Sequence, residues 1–313
     1  MGFNIPSPIS SLEKIRNYIN RTPLQFSERL SKEIGADIFL KLENIQKTGS
    51  FKVRGALNKV LGVSDDNIVA ASSGNHGAAV SYALSQKQLV GTIYVPQNVK
   101  ESKVKNIESF GSRAIKFGED CLDAEKEAIR VSKENKYTFI SPYNDLDIVS
   151  GQGTIGVEIL EDNSDIDVVF ITVGGGGLIS GVASYLKSIN PDIKIIGCSP
   201  KNSSVMVNSL KEGKIVNTES QETLSDGSAG GVEENSITFK MCEALIDNTI
   251  LVTEEEIASQ IKNSLIYDKM LIEGSAAVAV ASAIKMREEI KDKNVAIIIC
   301  GGNIGQETLK KIL

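Results

Sequence analysis

Lys52 stands in the segment Lys47–Ala56, KTGSFKVRGA, just after a Thr-Gly-Ser turn and beside the aromatic Phe51. Ser50 is an acceptable N-cap, so the spacing predicts a helix that opens there with Lys52 in its first turn. Near the positive end of a helix, and once desolvated, a lysine ammonium is disfavoured relative to the free amine. Such an amine is a nucleophile able to form a Schiff base with a carbonyl compound. A solvated lysine beside a helix cap is the ordinary alternative.

Three further segments combine small residues with helix starts. Ala71–Gly77, ASSGNHG, follows a strand-like run and precedes a helical one. Its hydroxyls and main-chain amides suit a carboxylate or a phosphate, although an ordinary polar turn has the same composition. His76 on its own fits a structural imidazole better than a catalytic base. Gly174–Leu178, GGGGL, lies between the apolar run VVFITV and a helix. Four glycines let successive amides converge on one phosphate, with the helix dipole behind them. The pattern is neither G-x-G-x-x-G nor G-x-x-x-x-G-K-[ST], which points to a single phosphate rather than a dinucleotide or triphosphate. Cys300–Asn303, CGGN, follows the last apolar run and opens another helix.

These segments need a scaffold that brings strand ends together. Strand-like runs are read at Ile38–Leu42, Ile68–Ala71, Gly91–Val95, Ser112–Phe117, Tyr137–Ile140, Val168–Val173, Ile193–Cys198, Thr249–Val252 and Asn294–Ile299. Helical stretches lie between them, among others Gly77–Gln86, Cys121–Asn135, Glu254–Tyr267 and Ser275–Glu289. Continuous β-branched runs alternating with helices predict an α/β fold with parallel sheets covered by helices. In such folds ligands sit at the carboxyl ends of strands, where the chemistry-bearing segments fall. Polar loops near residues 64–67 and 141–147 bracket four strands that would make a small domain inserted in a larger one. Residues 217–237, rich in Ser, Gly and Glu, read as a long functional loop.

Composition narrows the chemistry. The chain has 313 residues and a net charge of −6, so no basic field draws it to nucleic acid or an anionic membrane. Its apolar runs, such as Ala276–Ile284, are too short to span a bilayer. The N-terminal MGFNIPSP lacks the basic and apolar regions of a signal peptide, so a cytoplasmic location is expected. Four cysteines (Cys121, Cys198, Cys242 and Cys300) show no C-x-x-C spacing, and a single histidine rules out multi-histidine metal sites. Lysine, serine, carboxylates, main-chain amides or a bound cofactor remain.

Taken together, the segments resemble the fold-type II pyridoxal phosphate enzymes, whose fold is that of the tryptophan synthase β chain, and specifically the threonine/serine dehydratase and serine racemase group. The resemblance runs from Thr22-Pro23-Leu24 and Lys41-Leu42-Glu43-Asn44 through Gly151-Gln152-Gly153-Thr154 to the CGGN segment. It implies pyridoxal 5′-phosphate as cofactor, a small amino acid as substrate, a homodimer, and a large domain (1–66 and 146–313) carrying a small one (67–145). Lys52 looks like the Schiff-base lysine and the base that removes the Cα proton. By the same resemblance Phe51 packs on the pyridine ring, Asn75 meets the ring hydroxyl, and Gly174, Gly175, Gly176 and Gly177 hold the phosphate. Glu273 resembles the carboxylate near the ring. Cys300 takes the place of the Ser or Cys beside the ring nitrogen, and a neutral thiol there leaves that nitrogen largely unprotonated. Ser72, Ser73, Asn75 and His76 are expected to cradle the substrate carboxylate.

The implied reaction is β-elimination from L-threonine or L-serine, giving a 2-oxo acid and ammonia. Serine racemase is the alternative, because Ser73 falls where racemases of the group place an acid/base opposite the lysine. The wording TLSDGSAGGVE at Thr223–Glu233 also resembles hydroxyectoine-utilisation dehydratases, which leaves a related hydroxy amino acid open as substrate. A binding protein that kept the fold and lost the chemistry would not be expected to retain Lys52. Asp226 in this segment is expected to meet the Asn144 region. Members that bind a divalent cation use a Glu and an Asp where this chain has Ser199 and Val205, so no metal is expected.

Overall fold

The run Val168–Thr172 is buried at every position, with no polar face to offer solvent. A strand of that kind needs partners on both edges and helices on both faces. A computed structural model, which describes residues 3–72, 74–216 and 218–313, supplies both. Its strands are β1 (Leu24–Phe26), β2 (Asp37–Leu42), β3 (Ile68–Ala71), β4 (Thr92–Val95) and β5 (Arg113–Lys116) in the first part of the chain. There follow β6 (Thr138–Phe139), β7 (Val168–Thr172), β8 (Lys194–Pro200), β9 (Asn248–Val252) and β10 (Asn294–Ile299).

Two sheets form. One has six strands in the order β1-β2-β10-β7-β8-β9, the other four in the order β5-β4-β3-β6. All pairings are parallel except that of β1, which runs antiparallel to β2 with Leu24 opposite Lys41. The α/β reading therefore holds, and every strand read from the sequence is present. The short edge strand β1 is the addition. The helix over Cys121–Asn135 matches its expected bounds, with Asp120 as its cap, whereas the helix expected over Ser275–Glu289 ends at Lys285.

Each sheet has its own apolar core. Around the larger one, Phe170, Ile297 and Val182 pack with Ala276–Ala279 from the helix Gly274–Lys285. Around the smaller one, Ile68, Ala70 and Ile93 pack with Ile15, Val53, Leu57 and Ile148, which come from helices outside the β3–β6 segment. Because the strands of each sheet are parallel, the segments Glu43–Gln46, Gly174–Gly177 and Cys300–Asn303 all leave the same end of the larger sheet. Ser72, Gly74–His76 and Pro142–Asn144 leave the corresponding end of the smaller one.

Candidate active site

A cavity of about 470 Å³, including its mouth, lies where these strand ends meet. Its walls include Phe51 and Lys52, Asn75, the turn Gly174–Gly177, Glu273 and Cys300. The structure thus gathers on one cavity residues that are far apart in sequence. Tyr143, Thr172, Leu178, Gly227, Ser228 and Ser275 complete the lining.

The helix Lys52–Gly62 begins at Lys52, with Phe51 as its N-cap and no side-chain cap bond. The expected capping role of Ser50 is not found. The residues before the helix pair with the end of β10 instead: Ser50 bridges Gly301, and Phe51 N donates to Cys300 O at 3.0 Å. That pairing fixes where the lysine leaves the backbone. Lys52 Nζ donates to Pro142 O at 2.9 Å and lies 5.3 Å from the Phe51 ring centre. Burial pulls its pKa down to about 8, against the attraction of Cys300 and Glu273. About a tenth of the amine is therefore free of its proton at about pH 7, far more than for an ordinary lysine.

Two residues further on, Arg54 points the other way, into a fully buried ionic cluster. Its Nε and Nη2 donate to the two oxygens of Glu43 at 2.8 and 2.7 Å, and Nη1 and Nη2 donate to those of Glu158 at 2.8 Å each. Lys41 Nζ donates to the same Glu158 at 2.6 Å. Two cations and two carboxylates balance, and the paired fork geometry offsets the desolvation that burying them requires. The cluster ties the first turn of the lysine helix to the end of β2 and to the helix Leu146–Asp162.

At the far side of the cavity stands the glycine turn. A Cβ on Gly175 would fall 2.4 Å from the Tyr143 ring, and one on Gly174 2.7 Å from Ser228 O. Gly176 has φ +86° and precedes the helix Gly177–Ile189 as its N-cap. Side chains would therefore collide with the residues packed on this turn, whereas glycines let the bare main chain line the cavity. With a helix N-terminus behind them they make an anion cradle.

Between the two ends lies a carboxyl group. Glu273 receives both its oxygens' bonds from Asn75 Nδ2 at 3.0 Å and a further one from Asn303 N at 3.1 Å. Burial outweighs these bonds and pushes its pKa up to about 7. Asn75 Oδ1 in turn accepts from Asn303 Nδ2 at 2.8 Å. Burial holds the Cys300 thiol well above its ordinary pKa, so it is neutral.

The expected carboxylate cradle is placed only in part. Ser73 lies outside the described residues. Ser72 Oγ accepts from Gly74 N at 3.1 Å. The imidazole of His76 is buried with Nε2 on Ile140 O at 2.9 Å, and its pKa is pushed down to about 3 by burial and by the charge of Lys52. His76 can thus offer its main-chain amide, in the first turn of the helix Asn75–Gln86, while its ring is committed elsewhere. The contact expected for Asp226 is made by Glu233: Asn144 Nδ2 donates to Glu233 Oε2 at 2.8 Å, and Asp226 lies 3.6 Å from Lys103. Seven positions separate the two acids in a loop without periodicity, so nothing local fixed which would reach Asn144.

Tyr143, Ser228 and Ser275 were not anticipated. The only signal pointing to Ser228 is the density of Ser and Gly in 223–231; Tyr143 has none. Ser225 Oγ and Ser228 Oγ lie 2.6 Å apart, and Ser225 Oγ donates to Ser275 Oγ at 3.3 Å, a hydroxyl cluster beside the glycine turn. Among the described residues no group of three or more His, Cys, Asp or Glu side chains is arranged to hold a metal ion. No helix among them is long and apolar enough to cross a membrane.

Residues 15–301 match a family described as pyridoxal-phosphate dependent enzyme. An L-threonine ammonia-lyase of Thermotoga maritima is 40% identical over 303 residues, which cover 96% of this chain and 75% of that protein. The structure of maize serine racemase superimposes with a TM-score of 0.92 at 32% identity, covering 99% of this chain and 97% of that one. A processed threonine deaminase isoform 2 from Solanum lycopersicum gives 0.91 at 34% identity, covering 97% and 92%.

Proposed function

The chain belongs to the pyridoxal-phosphate dependent enzymes, and on that premise we propose that it is an ammonia-lyase. It takes a β-hydroxy amino acid, L-threonine or L-serine, to a 2-oxo acid and ammonia. The observation that carries this reading is the pairing of a buried, easily deprotonated Lys52 with the glycine cradle across one cavity. An amine and a glycine turn at a helix N-terminus, both lining one cavity, would suit the aldehyde and the phosphate of one small ring. At Gly174 and Gly175 the chain packs so closely on Ser228 and Tyr143 that only glycine fits, and a phosphate would be met there by main-chain amides rather than side chains. Bound there, pyridoxal phosphate draws electrons from the amino acid's Cα and so weakens its Cα–H bond.

The chain's own residues do the rest. Lys52 Nζ holds the cofactor at rest and takes the Cα proton once the substrate amine has displaced it, a role suited to a pKa near 8. Phe51 would hold the cofactor ring, and Asn75, bonded to Glu273, would meet its hydroxyl. Cys300, protonated and buried, places no negative charge beside the ring nitrogen. The main-chain amides of Asn75 and His76, with Ser72 and Ser73, receive the substrate carboxylate. Among the described residues lining the cavity Lys52 is the one cation, which suits a neutral β-substituent better than an acidic one.

Serine racemase is the second reading, favoured by the likeness to the maize enzyme, and it would require Ser73 to act as the second acid/base that the resemblance implies. The division into a domain of 1–66 with 146–313 and one of 67–145 is part of the proposal. It is supported by the four-stranded sheet, which falls wholly between residues 67 and 145. A homodimer, also proposed, rests on the family resemblance, and a cytoplasmic location remains the expectation drawn from the sequence. Chiral product analysis with L-threonine and with L-serine tests the activity. Predominant 2-oxo acid supports the lyase, whereas predominant D-serine, abolished by Ser73→Ala, would replace it with the racemase.

A further inference from the structure

Tyr143 belongs to no motif, yet it touches both ends of the cavity through one short turn. Ser141 Oγ accepts from Asn144 N at 2.9 Å and Tyr143 N at 3.4 Å, which fixes the turn after β6. Pro142 O receives Lys52 Nζ at 2.9 Å. The next residue, Tyr143, lays its ring against the glycine turn. A Cβ on Gly175 would lie 2.4 to 2.7 Å from three ring atoms, and one on Gly177 3.0 Å from the tyrosine's own Cα and Cβ. The ring thus occupies the volume that ordinary side chains would take, and forms one wall of the turn.

That wall is held from outside. Tyr143 Oη accepts from Glu233 N at 3.0 Å, and Asn144 joins Glu233 Oε2 and Ile237 N at 2.8 and 2.9 Å. Burial pushes the phenol pKa up, so the ring carries no charge toward the cradle. On the other side Thr238 Oγ1 donates to Gly175 O at 2.6 Å.

We propose that Tyr143 is a positioning residue that clamps the glycine turn and thereby sets how tightly the phosphate end of the cofactor is held. The proposal rests on the reading of this cavity as the cofactor site. Its physical basis is preorganisation. Glycine has the largest backbone freedom of any residue, so an unclamped four-glycine turn loses more entropy when its amides converge on an anion. The ring removes that freedom in advance through its packing against Gly175, whereas the bond to Glu233 adds little to the clamp.

The test compares wild-type holoenzyme with Y143F, Y143L and Y143A. Each is gel-filtered at falling concentration, the cofactor retained per chain is read from its visible absorbance, and a melting curve is recorded alongside. Y143F keeps the wall and loses only the hydroxyl, so its cofactor dissociation constant stays within about threefold of wild type. Y143L and Y143A lose the flat wall, and the constant rises at least about tenfold. Y143L carries the comparison where Y143A fails to fold. Wild-type retention in Y143L or Y143A, whatever the melting temperature, would overturn the proposal by making the ring mere packing. Equal weakening in Y143F and Y143A would overturn it too, by assigning the effect to the hydroxyl. The site reading fails by a different sign: K52A would then keep the cofactor's visible band while the Tyr143 series is unaffected.

Discussion

Replacing His76 with glutamine removes the only imidazole in the chain and leaves an amide able to donate to the same carbonyl. Ile140 O can only accept, so Nε2 carries the proton of a neutral ring. In the folded protein, burial and the neighbouring Lys52 charge hold the imidazole at a pKa of about 3, against 6.5 for the ordinary group. Below 6.5 the unfolded chain therefore binds the additional proton and the folded chain does not, so wild-type stability falls as pH falls. Between about pH 7.5 and about pH 5 this amounts to about 2 kcal/mol, growing toward about 5 kcal/mol near pH 3. His76→Gln does not titrate, so its stability loses this component while every other group is shared. Urea unfolding of both proteins across that range, with slopes compared as well as midpoints, gives the difference directly. A difference that stays constant within about 0.5 kcal/mol from about pH 7.5 to about pH 5 would refute the buried, neutral imidazole.

Glu273 predicts the opposite slope. Its folded pKa of about 7 lies above the ordinary 4.5, so the folded chain binds the additional proton in that interval, and stability is lost as pH rises through about 7. Glu273→Gln abolishes this loss, about 2 kcal/mol between about pH 5 and about pH 7.5, in the same urea experiment, and parallel curves would contradict it. Arg54→Met leaves Glu43 and Glu158 buried with Lys41 as the remaining cation, and lowers stability by about 3–5 kcal/mol. A loss below about 1 kcal/mol in urea melts would show that the cluster is not sealed from water.

How much of this was legible in the chain varies with the range of the interactions. Strands β7 and β10 announce themselves as VVFIT and NVAIII, runs with no polar face, and the sheets follow from their alternation with helices. Strand β1, three residues of which only one is even half-buried, has no such pattern and is created by pairing with β2. Local motifs and the family resemblance pointed to residues that the fold gathers together. Lys52, the four glycines, Asn75, Glu273 and Cys300 all reach one cavity. Ser50 misled because a cap-forming residue type was claimed by the bridge to Gly301, a contact about 250 positions away that no local rule sees. Tyr143 was invisible for the converse reason: its neighbours on the glycine turn are distant in sequence, and an aromatic after a proline carries no signature of its own.

The account depends most on Lys52 being the residue that carries the cofactor. Reducing the holoenzyme with borohydride fixes the lysine–cofactor link, and mass mapping of a digest then locates it. The account predicts one modified peptide, containing Lys52, in stoichiometric yield, and none in Lys52→Ala. A modified peptide centred on any other lysine, or stoichiometric trapping in Lys52→Ala, would contradict it.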